Sequence, residues 1–87
     1  MFDQKLQELN DMRFTYDNDH DILYLYFGEP KVSYEDETAP GVFLSLSEDN
    51  DTLTGLIIMD FKKKNTNEIQ NHIPININFS KLHNIIH

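Results

Sequence analysis

The chain has 87 residues, and its fifteen acidic and seven basic side chains give it a formal net charge of −8. This length fits one domain covering residues 1–87, with a thin core, because folding at this size removes only about 60 to 65% of the unfolded surface from water. The sequence has no cysteine, which excludes disulfides and thiolate zinc sites, and no window approaches the roughly 18 apolar residues of a membrane span, so we expect a soluble cytoplasmic protein.

The first third of the chain predicts a short helix followed by two strands. Apolar residues at helical spacing assign residues 1–11 to an N-terminal helix, with its turns over residues 3–10. Residues 12–16 alternate apolar and polar side chains, as a half-buried strand does. Residues 22–27, ILYLYF, are apolar on both faces, which is typical of a central strand covered on both sides.

The segment between these two strands, Asp17 to Asp21, has the alternating acids of a calcium loop. An EF-hand loop also needs a glycine at position 6 and a glutamate at position 12, where this chain has Ile22 and Gly28. Asp and Asn side chains also bond to their own backbone in turns. The segment therefore predicts a hairpin connection, in which His20 is a solvated loop residue.

Three more strands are predicted between residues 31 and 61. Residues 31–37 have a poorly specified register and three consecutive acids, which favours an edge strand. Residues 42–47 alternate cleanly, with their leucine and valine side chains facing inward. After a turn rich in Asp and Asn, residues 53–61 form a long strand that is apolar on both faces, in which Gly55 indicates a bulge or a close backbone approach.

The end of the chain predicts one more strand and a short helix. Residues 73–79 alternate apolar and polar side chains, and Pro74 places this strand at an edge because proline cannot donate to a ladder. Ser80 is predicted to cap a C-terminal helix. His83 and His87 have the i, i+4 spacing of helical metal ligands, but no third ligand lies near them in sequence, so no metal site is predicted.

These segments are broken about every ten residues, which predicts an antiparallel meander rather than β-α-β units. The predicted fold class is therefore α+β. It consists of an N-terminal helix over residues 1–11, an antiparallel sheet core over residues 12–63, and an edge strand with a C-terminal helix over residues 64–87.

Residues 12–63 resemble the DUF2283 family of small bacterial domains of unknown function. The segment YDNDHDILYLYF looks like the family's Tyr-Asp and Asp-x-Leu-Tyr opening, and APGVFLSLSEDNDTLTGLIIMDFKK looks like its Gly-Val strand, acidic turn and closing strand. The chain departs from the family at Leu56 and Ile57, where an acidic residue usually follows the glycine. The resemblance implies an antiparallel sheet and no particular reaction. Family members often lie beside genes for small ribonuclease-like toxins, which implies an antitoxin-like role.

The sequence carries no assembled catalytic motif such as a phosphate loop, a His-Glu-x-x-His helix or a nucleophile elbow. Asp60 is the one acid within an apolar strand, and His20 with Asp19 or Asp21 is the one local set of histidine and carboxylate. For Asp60, a solvated carboxylate at the end of a strand is a commoner arrangement than a buried catalytic carboxylate. We therefore expect no enzymatic activity, no cofactor and no metal, and the alternative is a small enzyme that uses Asp60 or His20.

The charge distribution favours a basic protein as the partner. Residues 1–61 carry fourteen acids and three bases, whereas residues 62–87 carry one acid and four bases. Such a chain lacks the Lys/Arg footprint for direct binding of nucleic acid, but it can mask the basic surface of a nucleic-acid enzyme such as a ribonuclease-like toxin. The predicted partner-binding residues are six acids with two aromatic anchors: Tyr34, Glu35, Asp36, Glu37, Phe43, Glu48, Asp49 and Asp51.

Three alternatives to this interpretation follow from the same residues. In the first alternative, the acids only keep the protein soluble. In the second, the aromatic residues Tyr34 and Phe43 are not binding anchors but pack under a terminal helix. In the third, the chain is a homo-oligomeric structural module, whose two-faced sheet is buried in a homodimer.

Overall fold

The computed structural model describes residues 7–9 and 12–86 of the chain. Six strands are present in this part, followed by a 3-10 turn at Phe61–Lys63 and two α-helices. The strands are β1 (Gln7–Leu9), β2 (Met12–Asp17), β3 (Ile22–Phe27), β4 (Ser33–Ala39), β5 (Val42–Ser47) and β6 (Leu53–Met59), and the helices are α1 (Thr66–Asn71) and α2 (Phe79–Ile86). The α+β class, the antiparallel sheet and the C-terminal helix are confirmed.

The strand order, β1-β2-β3-β6-β5-β4, differs from the predicted simple meander. The first three strands form one meander and the last three form another, and β3 pairs antiparallel with β6 to join them. β3 and β6 carry apolar side chains on both faces and lie inside the sheet, as predicted for β3. The predicted hairpin between β2 and β3 and the edge position of β4 are also confirmed.

One face of the sheet, which we name the core face, packs against both helices. The ring of Phe61 lies between those of Tyr16 and Phe79, at centroid distances of 6.5 and 6.1 Å. Burial of such a side chain contributes about 1.5 to 3 kcal/mol. No helix in the described residues is long and apolar enough to span a membrane. The buried apolar residues are Phe14, Tyr16, Leu23, Leu25, Val42, Leu56, Ile58, Phe61, Ile69, Ile73, Phe79 and Leu82.

The opposite face of the sheet, which we name the open face, carries the other side chains of the same strands. Tyr24 and Ile57 are half-buried there, and Tyr26 keeps 38% of its surface exposed. The prediction that β3 is covered on both sides is therefore wrong for the open face, because both helices lie on the core face.

The predicted N-terminal helix over residues 1–11 is wrong at residues 7–9, which form the edge strand β1. This strand pairs with β2, with Leu9 opposite Met12. A short helix with few partners is marginal, whereas the free edge of β2 offers a complete set of backbone donors and acceptors. The rest of that predicted helix lies outside the described residues.

The predicted edge strand over residues 73–79 is wrong, because this segment has no partner strand. Its buried and exposed residues do alternate, and Ile73 lies in the core. Gln70 replaces the missing ladder: its side-chain amide donates to the Ile75 carbonyl oxygen and accepts from the Ile77 N–H at 3.0 Å. In this segment, the alternation of apolar and polar residues therefore predicts which side chains are buried, but it does not predict pairing with another strand.

Asn78, rather than the predicted Ser80, caps α2. The Asn78 Oδ1 atom accepts a hydrogen bond from the Lys81 N–H at 3.0 Å, which is the contact that an N-cap side chain makes. The C-terminal helix consequently begins at Phe79.

β6 confirms the prediction made from Gly55 but ends earlier than predicted. The register shifts between Ser45 and Leu46 of β5, which marks a bulge beside Gly55. The β6 strand stops at Met59, because Asp60 adopts a left-handed conformation with φ of 54°. Asp60 thus lies after the strand and not within it.

Candidate functional site

Acidic and apolar side chains meet at the end of the sheet where β5 turns into β6. The Tyr34 hydroxyl donates to Asp51 Oδ1 at 2.6 Å, and the Glu48 N–H donates to the Val32 carbonyl oxygen at 3.0 Å. These two contacts tie the β5–β6 turn to the beginning of the edge strand. We name the resulting surface the acidic end; it consists of Val32, Tyr34, Glu48, Asp49 and Asp51.

The β5–β6 turn is held in place by its own backbone. Ser47 is buried, its N–H donates to the Thr52 carbonyl oxygen at 2.8 Å, and its carbonyl oxygen accepts from the Asp51 N–H at 2.9 Å. Asp51 has φ of 60°, a left-handed conformation that aspartate tolerates better than most residues. The turn therefore presents the exposed residues Glu48 and Asp49 on a defined backbone.

The apolar part of the acidic end is exposed. Val32 keeps 74% of its surface exposed and Tyr34 keeps 41%. The hydrogen bond to Asp51 and partial burial raise the pKa of the Tyr34 phenol, so the hydroxyl stays protonated as a donor. The prediction did not include Val32, because nothing in the sequence marks it apart from other isolated valines.

The three consecutive acids of β4 do not form one cluster. Glu35 and Glu37 lie on the open face, whereas Asp36 lies on the side of the core face, because neighbouring strand residues alternate. Glu37 Oε2 accepts from the Gly41 N–H at 3.0 Å, and it lies at the far end of the strand from the β5–β6 turn. Of the predicted β4 acids, none makes a hydrogen bond with the acidic end.

Phe43, the second predicted anchor, also lies apart from the acidic end. It is half-buried on the open face, where it pairs with Ile57 of β6. Packing of Phe43 under a terminal helix is excluded for α2, since that helix covers the core face. Tyr34 is thus the predicted anchor that the fold places beside the turn acids.

The His20 side chain pairs with Asp17, and not with the predicted Asp19 or Asp21. Its Nδ1 atom lies 2.8 Å from Asp17 Oδ2. Asp17 Oδ1 also accepts from the N–H groups of Asp19, at 3.0 Å, and His20, at 3.3 Å. Burial raises the pKa of the Asp17 carboxyl, but these hydrogen bonds and the attraction of the His20 ring outweigh burial and hold the pKa below its ordinary value.

Asp21 fastens the same hairpin to the 3-10 turn. The Tyr16 hydroxyl donates to Asp21 Oδ1 at 2.6 Å, and both carboxylate oxygens accept from the Lys62 N–H at 3.1 Å. The Lys62 Nζ atom lies 5.3 Å from the centroid of the Tyr16 ring. Burial and the Asp21 carboxylate raise the pKa of the Tyr16 phenol well above its ordinary value. Asp17 and Asp21 are therefore structural residues that shape the hairpin.

These hairpin residues and the strands that follow them are the part of the chain that carries a recognisable pattern. The family model described as "Protein of unknown function (DUF2283)" matches residues 13–62, more than half of the chain. The chain belongs to the DUF2283 family. The match runs from β2 into the 3-10 turn, so β1, α1 and α2 lie outside it. No curated protein and no solved structure matches the chain.

The described part of this DUF2283 protein contains no group of three or more metal-ligating side chains. The His83 ring stacks on Phe61 at a centroid distance of 4.4 Å, and His87 lies outside the described residues. The acidic end offers a different chemistry: exposed carboxylates for ionic contacts, beside apolar side chains that gain from burial in a complex.

Proposed function

We propose that this DUF2283 protein is a non-enzymatic binding module. Its acidic end contacts a basic protein and masks the surface with which that protein holds nucleic acid. The observation that supports the proposal is that two exposed acids of the β5–β6 turn, Glu48 and Asp49, lie at the same end of the sheet as two exposed apolar residues at the beginning of β4, Val32 and Tyr34. An antitoxin-like role is the form of this function that the family resemblance implies.

The two kinds of side chain have different effects on binding. Exposed ion pairs contribute only about 0.2 to 1 kcal/mol each, but their charges steer the encounter and raise the association rate. Full burial of a valine contributes about 1.5 kcal/mol or more, and Val32 has most of its surface available for burial. The acids therefore set the association rate, and the apolar residues set the dissociation rate.

The test is capture of partners from a lysate of the source cells on the tagged protein, at low and then moderate salt. We expect a stoichiometric, strongly basic protein that is released as salt rises, because exposed charges are screened over about 8 to 10 Å at these ionic strengths. Mass spectrometry of the released material identifies it.

A pair of matched variants locates the contact. E48Q/D49N removes two charges from the acidic end, and D19N/E68Q removes two charges from exposed residues elsewhere. We expect the first variant to capture less of the basic protein, and the second to capture as much as the wild type. Equal losses in both variants, or the absence of any basic partner, would contradict the proposal.

A further inference from the structure

Strand β4 forms one edge of the sheet, with β5 on one side and, in the described residues, no strand on the other. The hydrogen bonds of β5 show which backbone groups of β4 this leaves unpaired. The Glu48 N–H donates to the Val32 carbonyl oxygen, whereas the N–H and carbonyl groups of Ser47 bond within the β5–β6 turn. Val32 and Glu48 are therefore a bonded pair of the β4–β5 ladder, and the next pair, Ser33 with Ser47, is not bonded.

The rest of β4 follows from these two pairs, because bonded and non-bonded pairs alternate along an antiparallel ladder. Tyr34 and Asp36 belong to bonded pairs, and their backbone groups point toward β5. The backbone groups of Ser33, Glu35 and Glu37 point the other way, and no other segment of the described chain bonds to them. Such an edge is a template for one more strand.

The side chains along this edge alternate between two chemistries. Val32 and Tyr34 lie on the side of the core face and keep 74% and 41% of their surface exposed. Glu35 and Glu37 are exposed on the side of the open face, and Asp36 follows Tyr34 on the other side. A strand paired with β4 would cover the two apolar residues with one of its faces and meet the two glutamates with the other. The complementary strand therefore alternates apolar with basic residues.

Charge decides between a second copy of this chain and a basic segment as the added strand. Pairing of β4 with itself about a two-fold axis at Glu35 would place two Glu35 side chains directly opposite each other, which is destabilising. The acids that block such self-pairing favour lysine or arginine in an added strand. The register shift between Glu37 and Ala39 ends the regular edge, so the open segment runs from Ser33 to Glu37, about 17 Å.

We infer that β4 accepts an extended segment of the basic partner as an added antiparallel strand. Its basic residues lie opposite Glu35 and Glu37, and its apolar residues lie beside Val32 and Tyr34. Antiparallel pairing follows the rest of the described sheet, in which every pairing is antiparallel. The inference rests on the proposed function, since it specifies the segment of the partner that the acidic end and its neighbouring edge hold.

Two synthetic peptides of alternating lysine and valine, each about seven residues long, test this pairing on the full chain. In antiparallel pairing, the lysines opposite Glu35 and Glu37 also carry the backbone groups that bond to β4. One peptide is N-methylated at its lysines, which removes these donors. The other is N-methylated at its valines, whose N–H groups point away from the sheet. In isothermal titration calorimetry, we expect the lysine-methylated peptide to bind at least about tenfold more weakly, although both carry the same charge.

Amide hydrogen exchange reads the same pairing residue by residue. In the free protein, we expect slow exchange at Tyr34 and Asp36, whose N–H groups bond to β5, and fast exchange at Ser33, Glu35 and Glu37. The valine-methylated peptide, at about ten times its dissociation constant, should slow exchange at the last three amides about tenfold.

A pair of charge variants tests the basic side of the added strand. E35Q/E37Q is expected to bind the valine-methylated peptide at least about threefold more weakly, because two exposed ionic contacts are lost. D19N/E68Q removes the same number of charges away from the edge and is expected to bind it as the wild type does. Circular dichroism confirms that both variants fold.

Equal binding of the two peptides, or no binding of either at millimolar concentration, would overturn the inference. Protection of the Glu35 and Glu37 amides that grows with the concentration of the free protein would overturn it too, because a second copy then occupies the edge. The proposed function fails by a different result, the absence of a basic partner from the lysate. A captured basic partner that binds without protecting the Ser33, Glu35 and Glu37 amides would overturn the inference alone.

Discussion

Replacing Gly55 with alanine is expected to strain the one pairing that joins the two halves of the sheet. Gly55 lies on β6 opposite Tyr26 of β3. A Cβ atom at Gly55 would lie 2.4 Å from the Leu25 carbonyl oxygen, whereas real Cβ contacts stay above 3.0 Å. The obstacle is backbone, so no rotamer change relieves it. The backbone of β3 or β6 must therefore shift at this point.

The expected loss of stability follows from three contributions. Overpacking costs about 1 to 3 kcal/mol, and a weakened ladder hydrogen bond costs about 1 kcal/mol. Alanine also restricts the unfolded chain, which offsets about 0.4 to 1 kcal/mol. We expect a net loss of about 1 to 3.5 kcal/mol, centred near about 2 kcal/mol, from the free energy of unfolding, which is about 4 to 13 kcal/mol for this length. At about 4 to 8 °C per kcal/mol for this length, a loss of about 2 kcal/mol lowers the melting temperature by about 8 to 16 °C.

Urea unfolding followed by far-ultraviolet circular dichroism measures this loss. Gly28→Ala is the matched control: Gly28 has φ of +67°, but a Cβ there would meet nothing within 4 Å. It should lose only about 1 kcal/mol, from left-handed backbone strain that the restricted unfolded chain partly offsets. If Gly55→Ala proves as stable as Gly28→Ala, the close approach of β3 and β6 is not rigid and the reasoning is wrong.

Three further changes test the hairpin and the tail. Burial and the Asp21 carboxylate raise the pKa of Tyr16, so the unfolded chain ionises this phenol above a pH of about 10 while the folded protein keeps it neutral. Stability should fall as pH rises through that range, and less steeply in Tyr16→Phe, in urea titrations at several alkaline pH values. Because the pKa of Asp17 is lowered in the folded protein, its ionised carboxylate stabilises the fold above a pH of about 4, and this stabilisation is lost as the pH falls further. In urea titrations at several acidic pH values, the stability of Asp17→Asn should therefore fall less steeply with decreasing pH than that of the wild type. Gln70→Ala leaves two backbone groups of the tail without their partner and should cost about 1 to 3 kcal/mol, whereas the exposed Asn71→Ala should cost little.

The local parts of the fold could be predicted from the sequence. Residues 22–27 and 42–47 are strands as predicted, because the apolar run of the first, the alternation of the second and the Asp-rich turns beside them are local signals that act over a few residues. The pairing of β3 with β6 is a choice between distant strands of similar apolar character, and no local pattern expresses it. Residues 73–79 show the same limit: their alternation is real, but their hydrogen bonds go to the Gln70 side chain.

The candidate site was predictable in its charges and less so in its shape. Glu48, Asp49 and Asp51 follow from the composition of one turn, and the hydrogen bond between Asp51 and Tyr34 follows from the pairing of neighbouring strands. The exposure of Val32 depends on the path of the connection from β3 to the far edge of the sheet, which sequence patterns do not give. Both faces of β3 were predicted to be covered because its side chains are apolar on both sides, whereas both helices lie on the core face.

The central claim is that the acidic end contacts a basic protein, and nuclear magnetic resonance titration tests it most directly. The isotope-labelled chain is titrated with the basic protein that it captures, and backbone amide shifts are followed along the whole sequence. We expect the largest changes at Val32, Tyr34 and residues 48–51, and their reversal at moderate salt. Changes confined to α1, α2 or the β2–β3 hairpin would contradict the claim.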